Sequence, residues 1–458
     1  MSQAHGFPLD RTRPPNPGRV RPFDFPPVHS TRLENGLGLR VARMGQMPLV
    51  TLSVVLKGGE SVLPDERAGL AVLTGAALEG GTRHRPGPEL AEALEGIGTS
   101  LSVRTGWDAT RVSLTCLADR KEEALALLAE SLLEPAFPQG EVERLRTQRL
   151  AAIQQRLMDP GNLADDSAAH HFFSDDTPYH RPLAGSQASV EELGPDQVRD
   201  FWEDFYRPRD AGLVVVGDVD IPEVEELAER YFGHWEGAPE VLGEFESRAR
   251  SSLGRVVVVN RPGAVQSEIR MGQPAAPRNT PFFFPLQIFN TILGGAFTSR
   301  LMLNLREVQG YTYGVRSGFG FRSKKGPFSI STAVGTEVTA PAVREAMAEF
   351  EGLVQQGPTP EEVSQARDFI AGVFPLRLES TGQVASSIAE LIIYGLDDDF
   401  FATYRDGIRA VTPDGVLEAG QAVLQPREMV VVVVGDGDGV RGPLEGLGLG
   451  PVEVVKPG

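Results

Sequence analysis

The period of apolar and polar positions changes repeatedly along the chain, predicting strands interleaved with helices. Leu49 to Lys57 alternates with a period of two and runs into Gly58-Gly59, as a strand entering a turn does. Glu66 to Leu78 then carries apolar residues at helical spacing. Leu101 to Thr105 and Thr110 to Leu117 predict a hairpin, followed by paired helices at Lys121 to Leu133 and Glu141 to Leu157. Further on, Arg255 to Asn260 predicts a strand and Phe283 to Leu293 a helix, while Tyr313 to Phe321 and Phe328 to Val334 predict a second hairpin. This mixture of strand and helix runs places the chain in the α+β class.

Short patterns recur at a nearly constant long offset, the mark of a duplicated unit. Val214-Val215-Val216-Gly217-Asp218 returns as Val432-Val433-Val434-Gly435-Asp436, each a buried strand ending in a glycine turn. Glu141-Val142, with Arg146 five residues on, returns as Glu362-Val363 with Arg367, each just after a proline where a helix should start. At 458 residues the chain exceeds one core, so two copies of one domain are expected. The expected organisation is a flexible arm over 1–28, a first domain over 29–236, a linker over 237–253 with the boundary near residue 240, and a second domain over 254–458.

Composition narrows the function. A net charge of −18 with scattered Lys and Arg opposes binding to nucleic acid. Cys116 is the only cysteine and lies in a strand-like run, which excludes a disulfide framework and favours a buried hydrophobe over a catalytic thiol. No segment reaches the ~20 apolar residues of a membrane-spanning helix. The opening stretch is rich in Pro and Arg and lacks a signal-type apolar core, so the cytoplasm is the default expectation. There is no GxSxG, Walker-type loop or Cys/His arrangement.

The segment Gly69-Leu70-Ala71-Val72-Leu73-Thr74-Gly75-Ala76-Ala77-Leu78-Glu79-Gly80-Gly81-Thr82 resembles the active-site helix of the pitrilysin/insulinase metallopeptidases. That family carries HxxEH there, two histidines binding zinc and a glutamate activating the metal-bound water. The resemblance places Val72, Gly75 and Ala76 on the motif. Counting back from Asp159-Pro160 places Ala152 at the remaining glutamate ligand. Such residues offer no donor to a divalent cation, so no metal is expected in this chain. His170-His171 does not replace it, because adjacent helical residues point apart, and neither His84 nor His180 improves the case.

A second segment argues the opposite way. Leu293-Gly294-Gly295-Ala296-Phe297-Thr298-Ser299-Arg300-Leu301, leading through Leu305-Arg306-Glu307 to Gly310-Tyr311-Thr312-Tyr313, resembles the family's LGGGxxSRLxxxLREKxGLxY. The resemblance implies a clamshell of two homologous domains, each a mainly antiparallel sheet flanked by helices. It further implies that Arg306 and Tyr313 bind substrate and stabilise the oxyanion, and that the loop Gly294, Gly295, Ala296 and Phe297 touches peptide. Read without it, Arg306 pairs with Glu307 at a helix end and Tyr313 packs in the sheet. The expectation is a non-metal subunit similar to processing-peptidase alpha-type subunits. It would act on peptide or unfolded polypeptide with an HxxEH-bearing homologous partner that holds the zinc. An inactive peptide-binding or structural scaffold is the alternative, and the resemblance adds the periplasm as an alternative location.

Overall fold

In the computed structural model the described residues are 22–237 and 244–457, so the boundary expected near residue 240 lies outside them. Two six-stranded sheets organise the molecule. The first contains β1 (Val28–Arg32), β2 (Gly38–Arg43), β3 (Leu49–Leu56), β4 (Ser102–Thr105), β5 (Thr110–Leu117) and β6 (Ala211–Gly217), in the order β1-β2-β6-β3-β5-β4. The second contains β7 (Arg255–Asn260), β8 (Gln266–Pro274), β9 (Val315–Phe319), β10 (Pro327–Gly335), β11 (Val430–Gly435) and β12 (Val452–Val455), in the order β12-β7-β11-β8-β10-β9. The duplication holds in topology over β2–β6 and β7–β11. In each copy the closing strand slips between the first two, parallel to one and antiparallel to the other. Only the outermost strand differs, β1 antiparallel in one sheet and β12 parallel in the other.

Both closing strands, AGLVVVG and VVVVVG, are buried along their whole length. A strand apolar on both faces needs cover on both faces. Helices of the same half cover the inner face of the first sheet, joining Leu39, Val41, Leu52, Val54, Leu213 and Val215 to Leu70, Leu128 and Phe201. Cover for the outer face comes from the other half: Val384, Ile388, Leu391 and Ile392 of the helix Thr381–Tyr394 lie on Val55, Val214 and Val216. The exchange is reciprocal. Leu163, Ala164, Ala168 and Phe172 of the helix Pro160–Phe172 lie on Val257, Val259, Val432 and Val434 of the second sheet.

Each exchanged helix starts at a side-chain cap, Asp159 accepting from the Asn162 amide at 2.8 Å and Ser380 from that of Gln383 at 3.3 Å. Each also lands on a glycine. A Cβ on Gly212 would stand 2.6 Å from Ile392, and one on Gly272 would stand 2.4 Å from the Phe172 ring. Backbone-close packing of this kind leaves no room for a side chain.

Most predicted elements are present, with several corrections. The run Glu66 to Leu78 divides into a single turn, Asp65–Arg67, and the helix Leu70–Ala77. The helix starting at Phe283 gives way to a π-helical turn, Thr291–Gly295, rather than simply breaking at its glycines. Residues 22–27 of the expected flexible arm are docked on the second half, Phe25 stacking on Phe401 at 5.5 Å and Phe23 meeting Phe374 edge-on at 5.9 Å. Cys116 is buried, and that burial pushes its thiol up to about 11.

Because the exchanged helix roofs the opposite sheet, damage to it should be felt across the boundary between the halves. Ile388→Ala is expected to cost about 2–5 kcal/mol. Hydrogen exchange of the β3 and β6 amides in the other half should rise with it, whereas a loss of protection confined to residues beyond 250 would contradict the packing.

Candidate functional site

The helix Leu70–Ala77 lies against β4, β5 and the helix Gln139–Met158. Val72 and Ala76 are half-buried, Gly75 is buried, and Ala152 on the longer helix is exposed. Gly75, which the resemblance places on the motif's glutamate, has little room for a side chain. A Cβ there would stand 2.6 Å from Thr105 Oγ1 and 3.1 Å from Val103 Cγ1. Thr105 is itself tied to Thr110 Oγ1 at 3.1 Å and to the Ala71 carbonyl at 3.4 Å. The strand edge occupies the space that an acid's side chain needs.

A buried acid nevertheless stands beside this helix. Glu60 accepts the Gly69 amide where the helix begins and receives Arg181 Nη1 at 3.2 Å. Arg181 also donates to the Leu63 carbonyl at 2.7 Å and to Asp65 Oδ1 at 3.0 Å. Burial pushes the Glu60 carboxyl up to about 7, against the pull of the Gly69 amide and Arg181. Sequence alone does not single out this network, since Glu60 is an unremarkable residue after a glycine turn.

The chain reversal at Pro178–His180 brings His180 to His170 and Asp175, with one potential ligand atom of each within 4.8 Å of the others. Sequence spacing gives His180 no such place. Two of these groups have other partners, Asp175 pairing with Arg250 and His180 Nε2 meeting Asp65 Oδ2 at 2.9 Å, whereas His180 Nδ1 is buried without a hydrogen-bond partner among the described residues. The His171 ring lies edge-on to that of His170 at 5.0 Å, although adjacent helical residues are expected to point apart; Arg255 Nη2 stands 3.1 Å from its Nδ1, and burial together with that cation pushes it down to about 4.

In the second half, Arg306 sits on the π-wound segment Met302–Val308. Its Nε lies 3.3 Å from Glu307 Oε1 and its guanidinium 4.7 Å from the Phe297 ring centroid. The chain reverses through Gly310 at φ 67°, a left-handed conformation suited to glycine, and the Tyr311 amide returns to the Leu305 carbonyl at 2.9 Å. The alternation predicts Tyr313 in a strand, but strand pairing starts only at Val315 because Thr312 Oγ1 ties back to the Gly314 carbonyl at 2.9 Å. The Tyr313 side chain is 96 % exposed rather than packed in the sheet.

The glycine loop adjoins Arg306. Gly294 is buried, where a Cβ would stand 2.5 Å from the Ser317 amide, while Gly295 and Phe297 are exposed and Ala296 is half-exposed. Ile292, Phe297, Leu303 and Phe369 line a groove of about 340 Å³, with the Arg300–Glu362 pair at 2.6 Å on its wall. Val308 and Tyr313 are exposed as well. Exposed apolar area of this kind beside a cation is the character of a contact surface.

The closure at Gly75 makes a specific prediction. Gly75→Ala, despite the better helix propensity of alanine, is expected to lose about 1–2 kcal/mol to overpacking. The fourfold change Val72→His, Gly75→Glu, Ala76→His and Ala152→Glu should fail to yield zinc-dependent peptide hydrolysis. A fully stable Gly75→Ala protein in thermal unfolding would refute the steric reading.

Comparison with known proteins agrees with this picture of a retained frame. Residues 42–186 match the family model for insulinase (peptidase family M16), and residues 192–369 match that for the peptidase M16 inactive domain. A protein named non-peptidase homolog YmxG, from Helicobacter pylori, is 25% identical over 370 residues, covering 80% of this chain and 84% of its own. An uncharacterized zinc protease, SCO5738 of Streptomyces coelicolor, is 25% identical over 362 residues, covering 77% and 78%. Among solved structures, a peptidase M16 inactive domain from Pseudomonas fluorescens superposes with a TM-score of 0.84 at 24% identity, covering 89% of this chain and 98% of that one. A protease from Helicobacter pylori gives 0.82 at 18% identity, covering 89% and 99%. The two matched segments and the duplicated six-stranded sheets converge: the chain belongs to the M16 peptidase family, and its sequence contains no HxxEH.

Proposed function

We propose that this chain is the non-metal subunit of a heteromeric zinc metallopeptidase, in which Arg306 and Tyr313 bind peptide substrate while a homologous HxxEH-bearing partner supplies the zinc. The observation that carries the reading is the exposure of Tyr313, 96 % open to solvent on a loop whose backbone is nonetheless pinned at Tyr311 and Thr312. A side chain that contributes little to its own fold, displayed on a pinned loop, fits recognition of something outside the chain. Arg306 suits the same role, since its ionic partner among the described residues is its sequence neighbour and its guanidinium faces an exposed ring.

Attack of a zinc-bound water on an amide builds negative charge on the carbonyl oxygen, and donors aimed at that oxygen lower the barrier. Arg306 supplies a permanent cation with planar donors and Tyr313 a neutral hydroxyl. The exposure of Tyr313 in the free chain is consistent with the two converging only on bound substrate. The apolar groove at Phe297 and Phe369 suits a hydrophobic peptide side chain, with Arg300 and Glu362 at its wall.

A second reading, a catalytically silent peptide-binding or structural scaffold, draws on the closed position at Gly75 and on the relative named as a non-peptidase homolog. The two readings separate in the assembled complex. Arg306→Ala is expected to lower kcat/KM for peptide hydrolysis by about 100- to 1000-fold, with a smaller loss for Tyr313→Phe. An unchanged rate in Arg306→Ala would remove the catalytic role and leave the scaffold.

A further inference from the structure

On the outer face of the first sheet, beyond the apolar patch roofed by the helix Thr381–Tyr394, the inward–outward alternation of β3, β5 and β4 delivers hydroxyl and guanidinium side chains. Thr51 and Ser53, Arg111, Ser113 and Thr115, and Ser102 and Arg104 share one face and line a cavity of about 720 Å³ beside the start of that helix. The size is that of a small-molecule site, which typically measures ~300–1,000 Å³.

Two features of this cavity are unfavourable as they stand. Arg104 and Arg111 are register partners, directly opposite each other across the β4–β5 ladder. Like charges so placed destabilise a strand pair. Among the described residues neither forms an ion pair. Arg111 donates to Ser386 Oγ at 2.7 Å, Glu95 on the rim reaches neither guanidinium, and Glu390, whose field reaches Arg111, is engaged with Arg278 at 3.5 Å. The second feature is Ser53, 1% exposed, whose hydroxyl has no hydrogen-bond partner among the described residues, although a buried hydroxyl ordinarily has one. Its neighbour Thr51 is satisfied, meeting Thr115 Oγ1 and Thr381 Oγ1 at 2.8 Å each.

We propose that this cavity binds a phosphate monoester of a small polyhydroxylated molecule. The dianion lies between the two guanidiniums, converting a repulsive cross-strand pair into a two-armed clamp of planar donors. The carrier's hydroxyls meet Ser53, Ser113 and the adjacent hydroxyl lining. The acidity of the whole chain sharpens the point, since at a net charge of −18 these two adjacent arginines still form no ion pair among the described residues. Because one wall belongs to the first sheet and the other to the helix exchanged from the second half, the ligand would touch both halves at once.

Titration calorimetry and thermal unfolding of the full chain at constant ionic strength test this, using a hexose 6-phosphate, inorganic phosphate and the free hexose. The hexose phosphate should bind saturably, at least about tenfold tighter than either fragment, and raise Tm with concentration as a ligand of the native state does. Arg104→Gln should leave the ligand-free Tm equal or higher, by removing the like-charge pair. The same change should weaken binding at least about tenfold through loss of a charge-assisted donor pair, and Arg111→Gln should weaken it likewise. Absence of saturable binding by the ester, inorganic phosphate binding as tightly as the ester, or unaltered affinity in both variants would overturn the proposal.

Discussion

The molecule depends on one packing constraint: its closing strands are apolar on both faces, and each half lacks the helix needed to cover its own outer face. The reciprocal placement of the helices Pro160–Phe172 and Thr381–Tyr394 meets that need and makes the two halves one folding problem. Aromatic and ionic contacts reinforce the seam. Half-buried Arg322 of the second half lies 4.7 Å from the Trp107 ring centroid and 4.2 Å from that of Tyr179, both in the first half, and desolvation there pushes it down to about 10. Asp108 accepts from the Ser323 amide at 3.0 Å across the same seam.

That constraint explains how a half without metal-binding side chains persists. Once its sheet and helix are required to seal the other half, the first half is held by packing regardless of catalysis. Its helix Leu70–Ala77 is then free to carry small apolar residues, as at Val72, Gly75 and Ala76. Thr105 occupies the volume over Gly75. The second half is held differently. Gly294 is fixed by the approach of Ser317, and the loop it shapes holds exposed Phe297 beside Arg306. The two halves therefore differ in what is displayed, although they share a topology.

Period and punctuation make the duplicated frame legible in the sequence, since β5, β7, the helix Lys121–Leu133 and both hairpins announce themselves by alternation and helical spacing. The assignment of Val72, Gly75, Ala76 and Ala152 to the family's motif is what the resemblance implies, and their lack of metal donors is legible from residue type. The exchange of helices is not, because an apolar stripe says that a helix must be covered without saying by which sheet. Nor is the meeting of His170, Asp175 and His180, which depends on a reversal at Thr177–His180 that no spacing rule encodes. Tyr313 reads as a strand residue because its β-propensity hides the local competition from Thr312, whose hydroxyl bonds the Gly314 carbonyl and delays strand pairing.

The central claim is that the chain completes another protein's zinc site while binding no catalytic zinc itself. Its most direct test is to quantify bound zinc and peptide hydrolysis in three samples: this chain, an HxxEH-bearing homologue from the same organism, and their mixture. The account predicts a zinc-free, inactive chain and a mixture whose activity far exceeds that of the homologue alone. A mixture no more active than the homologue would contradict it.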